Sequence, residues 1–148
     1  IGFICGLCIG LLVVRFSRYS VYKFTWAQEL HKEFRSIFDP LRSIEIFTFA
    51  AVSSAAEEIF FRGVMQIELG IIASSLIFGA LHLATDKRLI VWSLQAAIMG
   101  FVLGGLYWFS GDLLAPVTAH FVINYQNLHF INNYDPVQKM PRSLVLSE

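Results

Sequence analysis

Two adjacent carboxylates, Glu57 and Glu58, stand inside the apolar run Ala55-Ala56-Glu57-Glu58-Ile59-Phe60-Phe61-Arg62. In a membrane helix an ionisable group costs at least about 2.5–3.5 kcal/mol unless it is paired or wet. The chain must therefore fold so that this pair finds partners or water away from lipid. Two further apolar runs each carry a histidine with a partner four residues away, Phe78 with His82 and His120 with Asn124. The three segments outline a polar site at membrane depth.

Composition supports that setting. Of 148 residues, 56% are hydrophobic and 15% charged, with a mean hydropathy of +0.62; soluble domains average about 45–50% apolar and about 25% charged. The expected fold is all-α, a polytopic bundle of four or five membrane helices forming one domain, 1–148. Acidic and basic residues balance at 11 each, leaving no net field to attract nucleic acid or an acidic substrate. The chain opens at Ile1 inside an apolar run, as a first membrane helix cut short would; it lacks the basic start and small-residue cleavage site of a signal peptide. Cys5 and Cys8 form a C-x-x-C in that run, read as small residues on a buried helix face.

A spanning helix needs about 20 mainly apolar residues. The candidates are 1–14, 43–68, 71–84, 89–109 and 113–132, of which only 89–109 meets the length without help. The second and last score poorly because they carry the polar residues, as helices facing a bundle interior would. Between the first two candidates, Val21, Phe24, Ala27, Leu30, Phe34, Ile37 and Phe38 recur at steps of three and four among Lys23, Glu29, Lys32, Glu33 and Arg35. That pattern predicts an amphipathic helix over 20–38, lying in the membrane interface. Residues 43–132 form the core, and 135–148 a polar tail. Glycines every fourth residue, Gly2-Gly6-Gly10 and Gly100-Gly104, suit close helix packing. Arg15 to Arg42, Lys87-Arg88 and Lys139 with Arg142 hold ten of the eleven basic residues, in alternate connections, so the positive-inside rule turns those connections to the cytoplasm.

Helical rise gives depth. Counted from the turn near Gly70, Glu57 and His82 lie roughly 20 and 18 Å in; counted from Asp112, His120 and Asn124 lie roughly 12 and 18 Å in. Facing gives roles. Glu58 and Arg62, four apart, pair as acid and base in the favoured order, whereas Glu57 is rotated by about 100° and has no basic partner at that spacing. One carboxylate is thus structural and the other free to react as a general base, with His82 sharing its proton or holding the attacking water. His120 and Asn124 present N–H donors one turn apart, as oxyanion stabilisation requires. His31 and His129 fall outside this set and are expected at the surface or interface.

The three motifs, Glu57-Glu58-x-x-x-Arg62, Phe78-x-x-x-His82 and His120-x-x-x-Asn124, resemble those of the CPBP family of intramembrane proteases, which includes the CAAX prenyl endopeptidases, the bacteriocin-processing enzymes and the Abi proteins. The resemblance covers about 43–128. It implies peptide-bond hydrolysis in or beside the bilayer, Glu57 and His82 activating water, His120 and Asn124 forming an oxyanion hole, and Glu58, Arg62 and Phe78 in support. It implies a membrane-associated peptide or protein as substrate and a bacterial inner membrane as location. No cofactor is expected; the alternative is a zinc or other divalent ion on Glu57, His82 and His120, although no HExxH places two ligands on one helix. A different class also fits this core: a catalytically silent scaffold or transporter-associated subunit. Neither a Gly-x-Ser-Gly nor a GxGD motif supports serine or aspartyl chemistry.

Overall fold

The computed structural model describes residues 1–38, 40–82, 90–136 and 140–141. Within them the chain is all-α, apart from one short strand pair. Helix α1 spans Gly2–Lys23, α2 Thr25–Ile37 and α3 Ser43–Phe60; a π-helical turn, Phe61–Met65, leads into α4, Gln66–Leu81, and then come α5, Ile90–Ser110, and α6, Leu114–Asn133. Tyr134–Asp135 (β1) pairs antiparallel with Met140–Pro141 (β2). The basic pair Lys87-Arg88, Lys139, Arg142 and the adjoining ends of the third and fourth expected membrane helices lie outside the described residues.

Three helical stretches are long and apolar enough to cross a membrane: Gly2–Lys23, Ser43–Leu81 and Ile90–Ser110. The middle one is a hairpin. Gly70 sits at φ 78°, ψ 168°, a combination essentially confined to glycine, and there the chain reverses. The rings of Phe61 and Phe78 stand 4.8 Å apart, where a straight helix would separate them by roughly 25 Å. The turn expected near Gly70 is therefore real, and its two arms are the described parts of the expected helices 43–68 and 71–84, residues 43–68 before it and 71–81 after it.

Two expected boundaries change. The first apolar run continues as one helix of 22 residues to Lys23, and the amphipathic helix begins only at Thr25, after Phe24 turns extended at φ −119°, ψ 131°. Arg18 extends α1 into polar surroundings because α6 receives it: its Nη2 donates to Gln126 Oε1 at 2.8 Å, and its guanidinium lies 5.0 Å from the Phe130 ring centre. Cys8 is exposed rather than on a buried face, while Cys5 is half-buried.

Glycines set the helix spacing. A Cβ on Gly6 would strike the Ala115 carbonyl, and one on Gly10 would reach Val122, so α1 lies directly on α6. Gly100 and Gly104 bring α5 against Ser75, Gln66 and Ile71 of α4 in the same way. Helix α6 starts where Asp112 Oδ1 accepts the Ala115 N–H at 2.9 Å, with Pro116 in its first turn, where a missing N–H costs nothing. At its other end Arg35 Nη1 donates to the carbonyls of Ile131 and Tyr134, each at 3.0 Å, satisfying groups that a helix terminus leaves open. Asn132 holds the α2–α3 connection, accepting the Leu41 N–H at 2.9 Å and donating to its carbonyl at 3.2 Å.

His31 corrects the expectation of a surface residue: it is buried, its Nε2 2.9 Å from the Tyr134 carbonyl and its ring edge-on to Phe130. The cause is tertiary, because the face of α2 that carries it closes over the end of α6. His129 is half-buried, edge-on to Tyr125 at 4.7 Å.

Candidate active site

Two neighbouring strips of α3 prepare the site. Ser53 and Glu57 share one; Ser54, Glu58 and Arg62 share the next. Glu58 and Arg62 have no solvent-exposed side-chain surface, and Arg62 Nε lies 3.0 Å from Glu58 Oε2. The other Glu58 oxygen, Oε1, stands 2.7 Å from His120 Nδ1. Glu58 is thus held from two helices at once, a link to His120 that the spacing alone did not reveal. The Arg62 guanidinium packs on aromatic faces, 5.1 Å from the centre of Phe78 and 5.8 Å from that of Phe61. Directly after the carboxylates the backbone widens into the π turn, with the Phe61 N–H shared between the carbonyls of Glu57 and Glu58; such turns recur at functional sites.

Glu57 is differently placed. It is partly exposed, and its Oε2 lies 3.9 Å from His82 Nε2, beyond direct hydrogen bonding, with no hydrogen-bond partner among the described residues. His82 ends α4, and its Nδ1 is 2.7 Å from the Phe78 carbonyl. A carbonyl only accepts, so Nδ1 carries a proton and donates to it, which turns Nε2 toward Glu57. The 3.9 Å between His82 Nε2 and Glu57 Oε2 is a gap that one bridging water would span.

Phe78 joins the parts. It is buried, lying 4.5 Å from the His82 ring and 6.2 Å from the His120 ring, centre to centre, as well as under Arg62. On the far side of His82, Trp92 stands edge-on at 5.0 Å, and Ser93 Oγ donates to the His82 carbonyl at 2.9 Å. Phe34 of α2 packs edge-on against Trp92 at 5.2 Å, so the amphipathic helix reaches the site's rim. Asn124 Nδ2 donates to Ser53 Oγ at 3.0 Å, which puts the amide on the strip of α3 that carries Glu57.

The structure accordingly brings Glu57 to His82, Glu58 to Arg62 and His120, and Asn124 to Ser53. Sequence reasoning missed Ser53, Trp92 and Phe34. Ser53 had a signal, since it stands four residues before Glu57; Trp92 and Phe34 had none, because loops and packing bring them in. Among the described residues no three His, Cys, Asp or Glu side chains converge to hold an ion, while the Glu58 contact uses only Nδ1 of His120 and leaves Nε2 as the nitrogen for the alternative ligand set of Glu57, His82 and His120.

Residues 40–126, more than half the chain, match a family model described as type II CAAX prenyl endopeptidase, Rce1-like. An uncharacterised protein of Bacillus subtilis (strain 168), YpbD, is 42% identical over 84 residues, which cover 56% of this chain and 44% of the relative. The chain thus matches a little under half of that relative's length. No solved structure matches it.

Proposed function

This chain belongs to the Rce1-like type II CAAX prenyl endopeptidase family, and from that membership and the site geometry we propose that it hydrolyses a peptide bond in a membrane-associated peptide or protein. The observation that carries the proposal is the division of labour between adjacent carboxylates: Glu58 is committed to Arg62 and His120, while Glu57 faces His82 across 3.9 Å.

The chemistry follows from that arrangement. A water held between Glu57 Oε2 and His82 Nε2 gives up a proton to this pair as its oxygen attacks the substrate carbonyl carbon. The carbonyl oxygen becomes an oxyanion, toward which Asn124 Nδ2 and the free Nε2 edge of His120 are offered; His120 donates there when its ring carries a second proton. Collapse breaks the C–N bond, and the proton returns to the departing amine. Arg62 and Phe78 hold Glu58, His120 and His82 in register. The reading is metal-free, with Glu57, His82 and His120 acting as base and donors rather than ligands. Substrate classes in keeping with the family are a prenylated CAAX protein, a leader peptide or a C-terminal sorting tail. A bacterial inner membrane agrees with the Bacillus relative.

The test is cleavage by the purified chain in liposomes of dual-labelled, membrane-tethered peptides, a farnesylated CAAX peptide among them. Glu57→Gln keeps shape but removes the base, and should lower the rate by a factor of about 10² or more, while chelators leave the wild-type rate unchanged. Undiminished cleavage by Glu57→Gln would sink the proposal, and failure of the wild type to cut any tethered peptide would favour a binding subunit built on the same core. Chelator inhibition reversed by zinc would return the ligand role to Glu57, His82 and His120.

A further inference from the structure

Ser53 has no place in the three motifs, yet it touches the site. It lies one turn before Glu57 on the same strip of α3, and its Oγ accepts the Asn124 Nδ2 hydrogen bond at 3.0 Å, between residues 71 apart in sequence. The hydroxyl also looks back at its own helix, with Oγ 3.5 Å from the Ala50 carbonyl. A serine hydroxyl has one proton. Directed at Ala50, it leaves only lone pairs facing α6, and lone pairs call for the NH2 end of a carboxamide. That choice matters because a carboxamide turned end for end offers oxygen where it had offered N–H. An oxygen facing a developing oxyanion repels it; a fixed N–H stabilises it.

We infer that Ser53 is a positioning residue, locking the Asn124 amide so that its second Nδ2 hydrogen points to the oxyanion. The inference rests on the hydrolytic reading above and deepens it. Ser53 itself touches no reacting atom. It acts through Asn124, from the helix that supplies the base, so one turn of α3 sets both the attacking and the stabilising side of the reaction.

With the farnesylated CAAX peptide as probe and the full chain in liposomes, Ser53→Ala should lower kcat roughly three- to tenfold, the loss of one hydrogen bond. KM and the thermal midpoint should hardly move. Ser53→Thr, which keeps the hydroxyl, should restore the rate. In an Asn124→Ala background Ser53→Ala should cost nothing further, since coupled residues are not additive. If Ser53→Ala does not assemble, Ser53→Cys replaces it, close in size but a weak acceptor. A wild-type kcat in Ser53→Ala beside a depressed Asn124→Ala overturns the inference, as does an additive loss in the double variant. Full activity in both Glu57→Gln and Asn124→Ala removes the hydrolytic reading instead, so the two failures are distinguishable.

Discussion

At the residue scale, burial separates two chemically identical side chains one position apart. Glu58 is enclosed with a guanidinium and an imidazole, whereas Glu57 keeps about a third of its side chain exposed. The motif spacing implied the Glu58–Arg62 pair, because four residues make one face of a helix. It could not imply the His120 contact, which joins positions 62 apart. The pair is structural, and removing one partner of a buried ion pair costs about 3–5 kcal/mol by stranding the other charge. Arg62→Met should therefore destabilise the fold by about that much, read from denaturant unfolding in micelles. Glu58→Gln in the same chain should recover part of the loss. A single variant within about 1 kcal/mol of wild type would show that Glu58 needs no cation beyond His120.

At the scale of elements, the hairpin from Ser43 to Leu81 is what makes a site at all. It folds one apolar stretch onto itself so that the Glu57 carboxylate faces His82 at the end of the returning helix. Its reversal depends on Gly70, whose φ of 78° and ψ of 168° cost a side-chain-bearing residue about 1–3 kcal/mol. No atom lies within 4 Å of where a Cβ would stand, so the penalty is purely conformational. Gly70→Ala should accordingly lower stability by about 1–3 kcal/mol and slow cleavage, because the arms shift relative to one another. A cysteine crosslink between the arms near Glu57 and His82 should form less readily in that variant; unchanged crosslinking and unfolding would mean that another residue defines the turn. The glycine repeats of α1 and α5 were legible as packing faces. Which helix each face meets was not, because small residues fit against any neighbour.

At the scale of the whole molecule, α2 closes one end of the bundle, reaching α6 through Arg35 and His31 and the rim of the site through Phe34 and Trp92. Burial pushes the His31 imidazole below its usual pKa; the Tyr134 carbonyl opposes that shift, Arg35 adds to it and Asp135 works against it. With the folded value lowered, the unfolded chain binds the proton more readily, so stability rises with pH across that window and is lost as pH falls below about 6.5. Thermal unfolding should thus begin at lower temperature at acidic pH, with α2 amides exchanging first. His31→Gln should flatten that dependence, and an equally steep one in the variant would assign it to another group. The sequence by itself determined the helical class, the reversal near Gly70 and the identity of the polar residues, because hydropathy, glycine placement and steps of four are local properties of the chain. Only the tertiary structure decided which residues far apart in the chain meet. The commitment of Glu58 to His120, the gap between Glu57 and His82, the Ser53 support for Asn124 and the burial of His31 all join segments far apart in sequence, through packing that no local pattern encodes.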